Sequence, residues 1–234
     1  GVCGYEYVNA GSSAVQELAY SMASAIEYIN QMLERGLTID EVAPKISFTF
    51  GISTNYFMEV SKLRAGRIIW SNIIDAYKGN DKSKEIFIHS KSSQYNQTQN
   101  DIYVNLLRTT TEAFSAIVGG ADSLYTSPFD ETLGMPDEFS RRLARNTQII
   151  LGEESHLNAV IDPAGGSYYV EALTAEIAKQ AWALIKEIEA DGGMMSAVLK
   201  STPQNEIEKI AQAKQKDYSK RKNVIVGNNM YANV

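Results

Sequence analysis

Hydrophobic residues recur along the chain with two different periods that alternate. From Ser13 to Gly36, apolar side chains stand three or four positions apart, which predicts an amphipathic helix that ends at the glycine. The stretches "GYEYV", "KISFTFGI" and "EIFIHS" have the short apolar character of strands or strand ends, and a helical pattern follows each of them. The helix after "EIFIHS" is expected to take Asp101 as its cap. The alternation continues through "DSLYTSP" and "DEFSRRLARNTQIILGEE", so the sequence predicts a parallel α/β architecture.

The pattern changes after Ser155. The segment "NAVIDPAGGSYYVE" predicts a short strand or turn, and two long helices are expected around 170–190 and 203–220. The second of these helices is charged on most faces, which places it at the surface. We therefore assign residues 1–155 to the strand–helix units and residues 156–234 to a C-terminal strand or turn and a helical extension of the same domain.

Four strand–helix units leave the architecture open in one respect. A (β/α)8 barrel needs eight strands, so these units form either a small open sheet or half of a larger barrel. Half a barrel exposes a sheet edge that further sequence or a partner must cover. The chain has no initiator methionine, and we interpret it as a fragment or a trimmed product.

Composition narrows the classes of function. The net charge is −6, the pI is about 5.1, and the basic residues are scattered, which argues against a nucleic-acid partner. No apolar run approaches the roughly 18–20 residues that cross a membrane. The single cysteine, Cys3, excludes an internal disulfide and is typical of a reducing compartment, so we expect a cytoplasmic protein. We expect Cys3 to be an inert buried thiol, and no cluster of metal-ligating residues is apparent in the sequence.

Several longer stretches together resemble the sequence of one known family. They include "NAGSSAVQELAYSMASAIEYI", "RTTTEAFSAIVGGADSLYTSPFDETLGMP", "RLARNTQIILGEES" and "DPAGGSYYVEALT". The chain resembles methylmalonyl-CoA mutase nearly from end to end, specifically the second half of its substrate-binding barrel. The resemblance implies an α/β fold, the C-terminal half of a (β/α)8 TIM-type barrel with about four parallel βα units plus C-terminal helices. In that family the pantetheine arm of an acyl-CoA runs along the barrel axis.

The resemblance also concerns a cofactor. In that family a separate flavodoxin-like domain binds adenosylcobalamin through a D-x-H-x-x-G motif, and the reaction is a radical rearrangement between methylmalonyl-CoA and succinyl-CoA. The two histidines here, His89 and His156, do not stand in such a motif. The resemblance therefore implies that the cobalamin domain is absent from this chain, that the metal site is absent with it, and that adenosylcobalamin belongs to a complex.

Three pocket positions match the family. Tyr5 matches a tyrosine that helps cobalt–carbon homolysis, His89 matches a histidine that contacts the corrin side chains and the substrate, and Glu131 matches the glutamate that holds the adenosyl ribose. The resemblance implies that these three residues are cofactor-binding positions of a degenerate pocket.

Other pocket positions depart from the family. Glu6 stands where the family has a histidine that donates a hydrogen bond to the thioester carbonyl, and an ionised carboxylate cannot donate that bond. Three more replacements are Phe87 for an arginine, Lys91 for a glutamine and Ser127 for an asparagine. This pattern resembles the small, noncatalytic subunit of heterodimeric bacterial mutases, so we expect no catalytic residue in this chain.

Simpler structural explanations exist for the same residues. His89 ends a buried strand, where a hydrogen-bonded structural histidine is the ordinary case. Glu6 is expected to be solvated or paired with a neighbour. Glu131 lies near a helix start, where the helix dipole favours an acidic residue.

Three hypotheses for the function remain open. In the first, the chain is a structural part of a small mutase subunit, paired with a large catalytic subunit in a complex that binds acyl-CoA, and it is inactive by itself. In the second, it belongs to a competent acyl-CoA mutase of altered specificity. In the third, it is an unrelated small α/β enzyme that uses Glu6 and His89 as an acid–base pair. We choose the first because so many pocket positions depart from the family.

Overall fold

The fold is built on one sheet of four parallel strands in the order β1-β2-β3-β4. A computed structural model describes residues 1–232, so the last two positions of the predicted 156–234 region lie outside the described residues. The strands are β1 (Val2–Cys3), β2 (Ser47–Ile52), β3 (Phe87–Ser92) and β4 (Ser123–Tyr125). Their order follows the chain, and helices connect them. The predicted α/β architecture with a parallel sheet is confirmed, and it is consistent with a partial TIM-type barrel.

The helices occupy the segments that the hydrophobic period indicates. Their bounds are α1 (Tyr5–Asn9), α2 (Ala14–Glu34), α3 (Ile39–Val42), α4 (Tyr56–Ala76), α5 (Val104–Val118), α6 (Glu138–Ile149), α7 (Tyr168–Ala190), α8 (Gly193–Leu199) and α9 (Thr202–Ser219). Helix α2 begins where Ser13 and Gln16 form a capping box, in which each side chain accepts from the other residue's backbone N–H. A π-helical turn, Ile150–Glu154, extends α6.

Two predictions about element starts are wrong. Asp101 does not cap α5; the helix begins at Val104, whose N–H donates to the carbonyl oxygen of Asp101. Asp101 itself has a φ of 49°, so it belongs to a turn that leads into the helix. The stretch "GYEYV" is not a strand end, because β1 stops at Cys3 and the short helix α1 begins at Tyr5.

One further local prediction is wrong, and in another only one of two alternatives holds: Cys3 is not buried, and the segment after Ser155 forms turns but no strand. Cys3 is exposed, because it lies on the side of β1 that no helix covers. Residues 157–166, where a strand or turn is predicted, form turns and bends without a strand. Asp162 in this segment has a φ of 49° and accepts from Arg64, whose guanidinium also binds Glu171 at 2.8 Å. These contacts fix the segment against α4 and the first turn of α7.

The two faces of the sheet have different surroundings. One face, with Phe48, Phe50 and Ile88, is fully buried beneath α2, α4 and α5. Helix α7 packs outside α2 and α4, so this side has two layers of helices. The other face carries the alternate residues of each strand and is open: Phe87 is 50% exposed, and Thr49 is partly exposed. An open face of this kind is consistent with the inside of a partial TIM-type barrel.

A buried ion cluster fixes the end of β2. The ammonium of Lys62 on α4 lies 2.6 Å from Glu17 Oε2 on α2 and 2.5 Å from Glu59 Oε2, and all three side chains are almost fully buried. Lys62 Nζ also donates to the Gly51 carbonyl oxygen at 2.5 Å, and Glu17 Oε1 accepts from the Gly51 N–H at 2.7 Å. We call Glu17, Glu59 and Lys62 the buried triad. The buried triad joins α2 and α4 to the N–H and the carbonyl oxygen of Gly51 on β2.

Gly51 has a steric reason to be glycine. A Cβ there would lie 2.9 Å from Val8 Cβ on α1, which is closer than real Cβ atoms approach. Helix α1 therefore packs directly on the backbone of β2 at the point that the buried triad holds.

Two carboxylates share one ammonium in this dry environment. Burial raises the pKa of Glu17 to about 7, since desolvation outweighs the attraction of Lys62 and the charge of Glu59 adds to it. Because folding raises the pKa of this carboxyl, the carboxyl contributes stability at pH values below its unfolded-state pKa. That contribution is lost as the pH rises through about 7.

We expect Lys62→Met to lower the free energy of unfolding by about 3–5 kcal/mol, because it leaves two buried carboxylates without a cation. Urea unfolding measures the change. The matched control is Lys84→Met, which removes an ammonium paired with the exposed Asp75 and should cost less than about 1 kcal/mol. The triple variant with Glu17→Gln and Glu59→Gln should recover most of the loss. Equal costs for the two lysine variants would contradict this role for the buried triad.

Candidate functional site

The carboxyl ends of the strands bring several predicted site residues to one edge of the open face. Lys91 on β3 lies opposite Gly51 on β2 and Tyr125 on β4 in the sheet register. Tyr5 opens α1, directly after β1. Glu131 follows β4 in a short 3-10 turn. Because parallel strands end at the same edge, these side chains meet although they are far apart in sequence.

Lys91 is the centre of this group. Its Nζ lies 4.1 Å from the centre of the Tyr5 ring and 5.3 Å from that of Tyr125, distances at which an ammonium is attracted to an aromatic face. The Tyr125 hydroxyl donates a long hydrogen bond of 3.4 Å to Glu131 Oε1. We call Tyr5, Lys91, Tyr125 and Glu131 the strand-end cluster.

The electrostatics of the cluster keep Lys91 charged. Burial opposes the charge, but the Tyr5 hydroxyl and the nearby Glu131 carboxylate outweigh it and raise the pKa of Lys91. Burial and the Glu131 charge raise the pKa of Tyr125, so its phenol stays protonated. The arrangement offers one cation, two phenols and one carboxylate at a single opening.

His89 lies one alternate position before Lys91 on the same strand. Its Nδ1 is 2.7 Å from the Ser123 hydroxyl on β4. Burial, and then the positive charge of Lys91, lower the pKa of His89 from its ordinary value, which favours the neutral imidazole. A neutral imidazole with one nitrogen bound to a hydroxyl can donate or accept one more hydrogen bond.

Other predicted residues lie outside the cluster. Glu6 is exposed, and among residues 1–232 its side chain has no hydrogen bond or ion pair. Phe87 is half exposed on the open face. Ser127 is buried behind β4, where its hydroxyl donates to the Ser92 carbonyl oxygen at 3.4 Å. The structure does not join Glu6 and His89 as a pair, because the partner of the imidazole is Ser123.

Sequence reasoning missed Tyr125 and Ser123. Both belong to "DSLYTSP", which the pattern predicts as a strand, and both alternate onto the open face. The position of Tyr125 at a strand's carboxyl end is a signal that could have identified it.

Metal-ligand clusters and membrane-spanning helices are both absent from residues 1–232. Residues 1–232 contain no group of three or more histidine, cysteine or acidic side chains arranged to hold a metal ion. None of the helices formed by those residues is long and apolar enough to span a membrane.

Comparison with known proteins gives one consistent family. The family model described as methylmalonyl-CoA mutase matches residues 1–234. The chain is 46% identical over 231 residues to methylmalonyl-CoA mutase of Cereibacter sphaeroides and 45% identical to that of Escherichia coli, in both cases over 98% of this chain. It is 44% identical over 232 residues to the mitochondrial methylmalonyl-CoA mutase of Homo sapiens. The chain spans about a third of the length of these relatives, between 31% and 33%.

We expect Lys91→Gln to raise the pKa of His89, because it removes a positive charge that lowers that pKa while burial persists. NMR titration of the imidazole protons measures the change, and the exposed His156 provides an internal reference. Lys84→Gln is the control, since Lys84 pairs with Asp75 and does not act on His89. An unchanged or lower His89 pKa in Lys91→Gln would show that the two side chains do not interact.

Proposed function

Because the chain belongs to the methylmalonyl-CoA mutase family, we propose that it is part of a small, noncatalytic mutase subunit. In this proposal it forms the C-terminal half of that subunit's barrel and pairs with a large catalytic subunit. The complex isomerises methylmalonyl-CoA and succinyl-CoA by an adenosylcobalamin radical mechanism, and this chain contributes structure. A cytoplasmic location remains a prediction.

The observation that carries the proposal is the position of Lys91. Its ammonium lies over the Tyr5 ring, and its charge is maintained by Tyr5 and Glu131. A residue that matches the family's reactive tyrosine is therefore engaged by a cation where the family has a neutral glutamine. A permanent charge at this point alters the field at the opening where the family's chemistry takes place.

Glu6 supports the same conclusion. It stands where the family uses a histidine to donate to the thioester carbonyl, and its carboxylate is exposed to solvent. An ionised carboxylate repels a carbonyl oxygen and cannot stabilise negative charge that develops on it.

The open face supports the proposal of half a barrel. The side chains on this face are polar or aromatic, and Phe87 and Tyr125 are 50% and 39% exposed. In a closed barrel, side chains from the remaining strands would cover these positions. We propose that the other half of the same subunit does so.

The cofactor fits this chain only in part. Glu131 Oε2 is buried and has no hydrogen-bond partner within residues 1–232, so it is free to accept from a hydroxyl such as that of a ribose. The Tyr5 ring is not free in the same way, because Lys91 covers it. We therefore propose that this chain alone binds no adenosylcobalamin.

One observation favours the second candidate, a competent acyl-CoA mutase of altered specificity. Tyr5, His89 and Glu131 all match the family. Lys91 Nζ lies over the Tyr5 ring, the Glu131 charge acts on Lys91, and His89 stands one alternate position before Lys91 on β3. A cationic group at Lys91 would suit an acyl group with an additional negative charge. The third hypothesis has no comparable support, because Glu6 and His89 make no contact as an acid–base pair.

We expect the full-length protein that contains this chain to copurify with a large mutase subunit in a 1:1 complex. Affinity capture of tagged protein coexpressed with the candidate large subunit, followed by measurement of mass in solution, tests this. The control is the same capture with the tag alone. A monodisperse protein that captures no large subunit would contradict the role as a structural subunit.

We expect Glu6→His to produce no adenosylcobalamin-dependent turnover of methylmalonyl-CoA by the full-length protein, because Lys91 still engages Tyr5. The assay follows succinyl-CoA formation. Glu6→Gln is the matched control, since it removes the charge without adding a histidine. Turnover that appears with histidine and is absent with glutamine would support the second candidate.

A further inference from the structure

A cavity of about 460 Å³ lies at the rim of the sheet, outside the strand-end cluster. Its walls are the first turns of α2 and α4, the short turn after β3 that contains Asn96, and the last turns of α9. We call it the rim cavity and define it by Ser12, Asn55, Asn96 and Lys214. Its volume is within the range of small-molecule sites, roughly 300–1,000 Å³.

Two buried hydrogen-bonding groups in the rim cavity have no partner. Ser12 is 4% exposed and Asn96 is 9% exposed, and both line the cavity. Neither Ser12 Oγ nor Asn96 Nδ2 makes a hydrogen bond to any of residues 1–232. Buried polar groups are almost always paired, so two unpaired groups on one cavity point to a ligand that pairs with them.

Lys214 adds a cation to the same wall. Its ammonium donates to the Ser12 carbonyl oxygen at 2.7 Å and lies 5.2 Å from the centre of the Tyr95 ring. Among the described residues Lys214 forms no ion pair of its own. Glu17, Glu59 and Lys62 also line the cavity, and the two carboxylates are engaged by Lys62. Burial accordingly lowers the pKa of Lys214. The charges of Glu59 and Glu17 act on Lys214 without forming an ion pair with it, and a bound anion would give Lys214 a direct partner.

The backbone of the site is held in place. Gly11 has a φ of +99°, and a Cβ there would lie 2.7 Å from Ala211 Cβ on α9. Helix α9 thus packs directly on the loop that contains Ser12, and this contact fixes Lys214 beside that loop. Helices α2 and α4 both direct their first turns at the cavity, and the positive ends of their dipoles favour a negative charge there.

We propose that the rim cavity binds the anionic group, phosphate or carboxylate, of a small molecule. Lys214 Nζ supplies the charge, and Ser12 Oγ and Asn96 Nδ2 donate hydrogen bonds. The cavity is large enough to hold more than the anionic group itself. The proposal does not rest on the mutase function, because none of these residues belongs to the strand-end cluster.

Calorimetric titration of the full-length protein with inorganic phosphate, acetate and glycerol tests the proposal. We expect saturable binding of phosphate or acetate and none of glycerol, and the preferred anion identifies the ligand's acidic group. Lys214→Met should weaken that binding at least about tenfold, because it removes a charge-assisted hydrogen bond. The matched control is Lys216→Met on the same helix, an exposed lysine that does not line the cavity, and it should bind as the unaltered protein does.

Two results would overturn the proposal: no anion binds, or Lys214→Met and Lys216→Met bind equally well. Ser12→Ala gives a second variant that keeps the charge and removes one donor, and we expect a loss of several-fold. If Lys214→Met fails to fold, a crystal of the unaltered protein soaked in tungstate decides the question. Anomalous density within hydrogen-bond distance of Lys214 Nζ would support the site, and its absence there would refute it.

Discussion

One buried ammonium constrains most of this structure. Lys62 lies in the packed interior between α2, α4 and β2, where a charge is stable only if carboxylates and backbone oxygens surround it. The buried triad satisfies that requirement and in the same contacts fixes both polar groups of Gly51. Lys91 lies opposite Gly51 in the register, and the triad residues themselves line the rim cavity. The positions of both sites therefore depend on this one cluster.

The sequence predicts the fold well where hydrophobic period and strand ends determine it. The helix from Ala14 to Glu34 and the strand from Ser47 to Ile52 follow directly from the spacing of apolar residues. The errors are local. Asp101 is typical of a helix cap but adopts a left-handed turn, and the exposure of Cys3 depends on which strand face helices cover. Neither property is encoded within a few neighbouring residues.

The candidate sites were less predictable. Resemblance to a family identifies Tyr5, Lys91 and Glu131, and only the structure shows that Lys91 lies over the Tyr5 ring and that the Glu131 charge acts on it. The buried triad was missed because Glu59 and Lys62 stand three residues apart on a helix, a spacing that usually indicates a surface ion pair. Ser12, Asn96 and Lys214 come together only through the packing of α9 on the loop at Gly11.

In the function that we propose, the family's scaffold is kept while the chemistry of its pocket has changed, because charged groups would occupy positions where the family has neutral groups or a different donor. The most direct test is an assay of methylmalonyl-CoA turnover with adenosylcobalamin, performed on the full-length protein alone, on its large partner subunit alone, and on the two together. We expect turnover only when the large subunit is present and none by this protein alone. Turnover by this protein alone would contradict it, and the strand-end cluster would then have to be interpreted as a working active site.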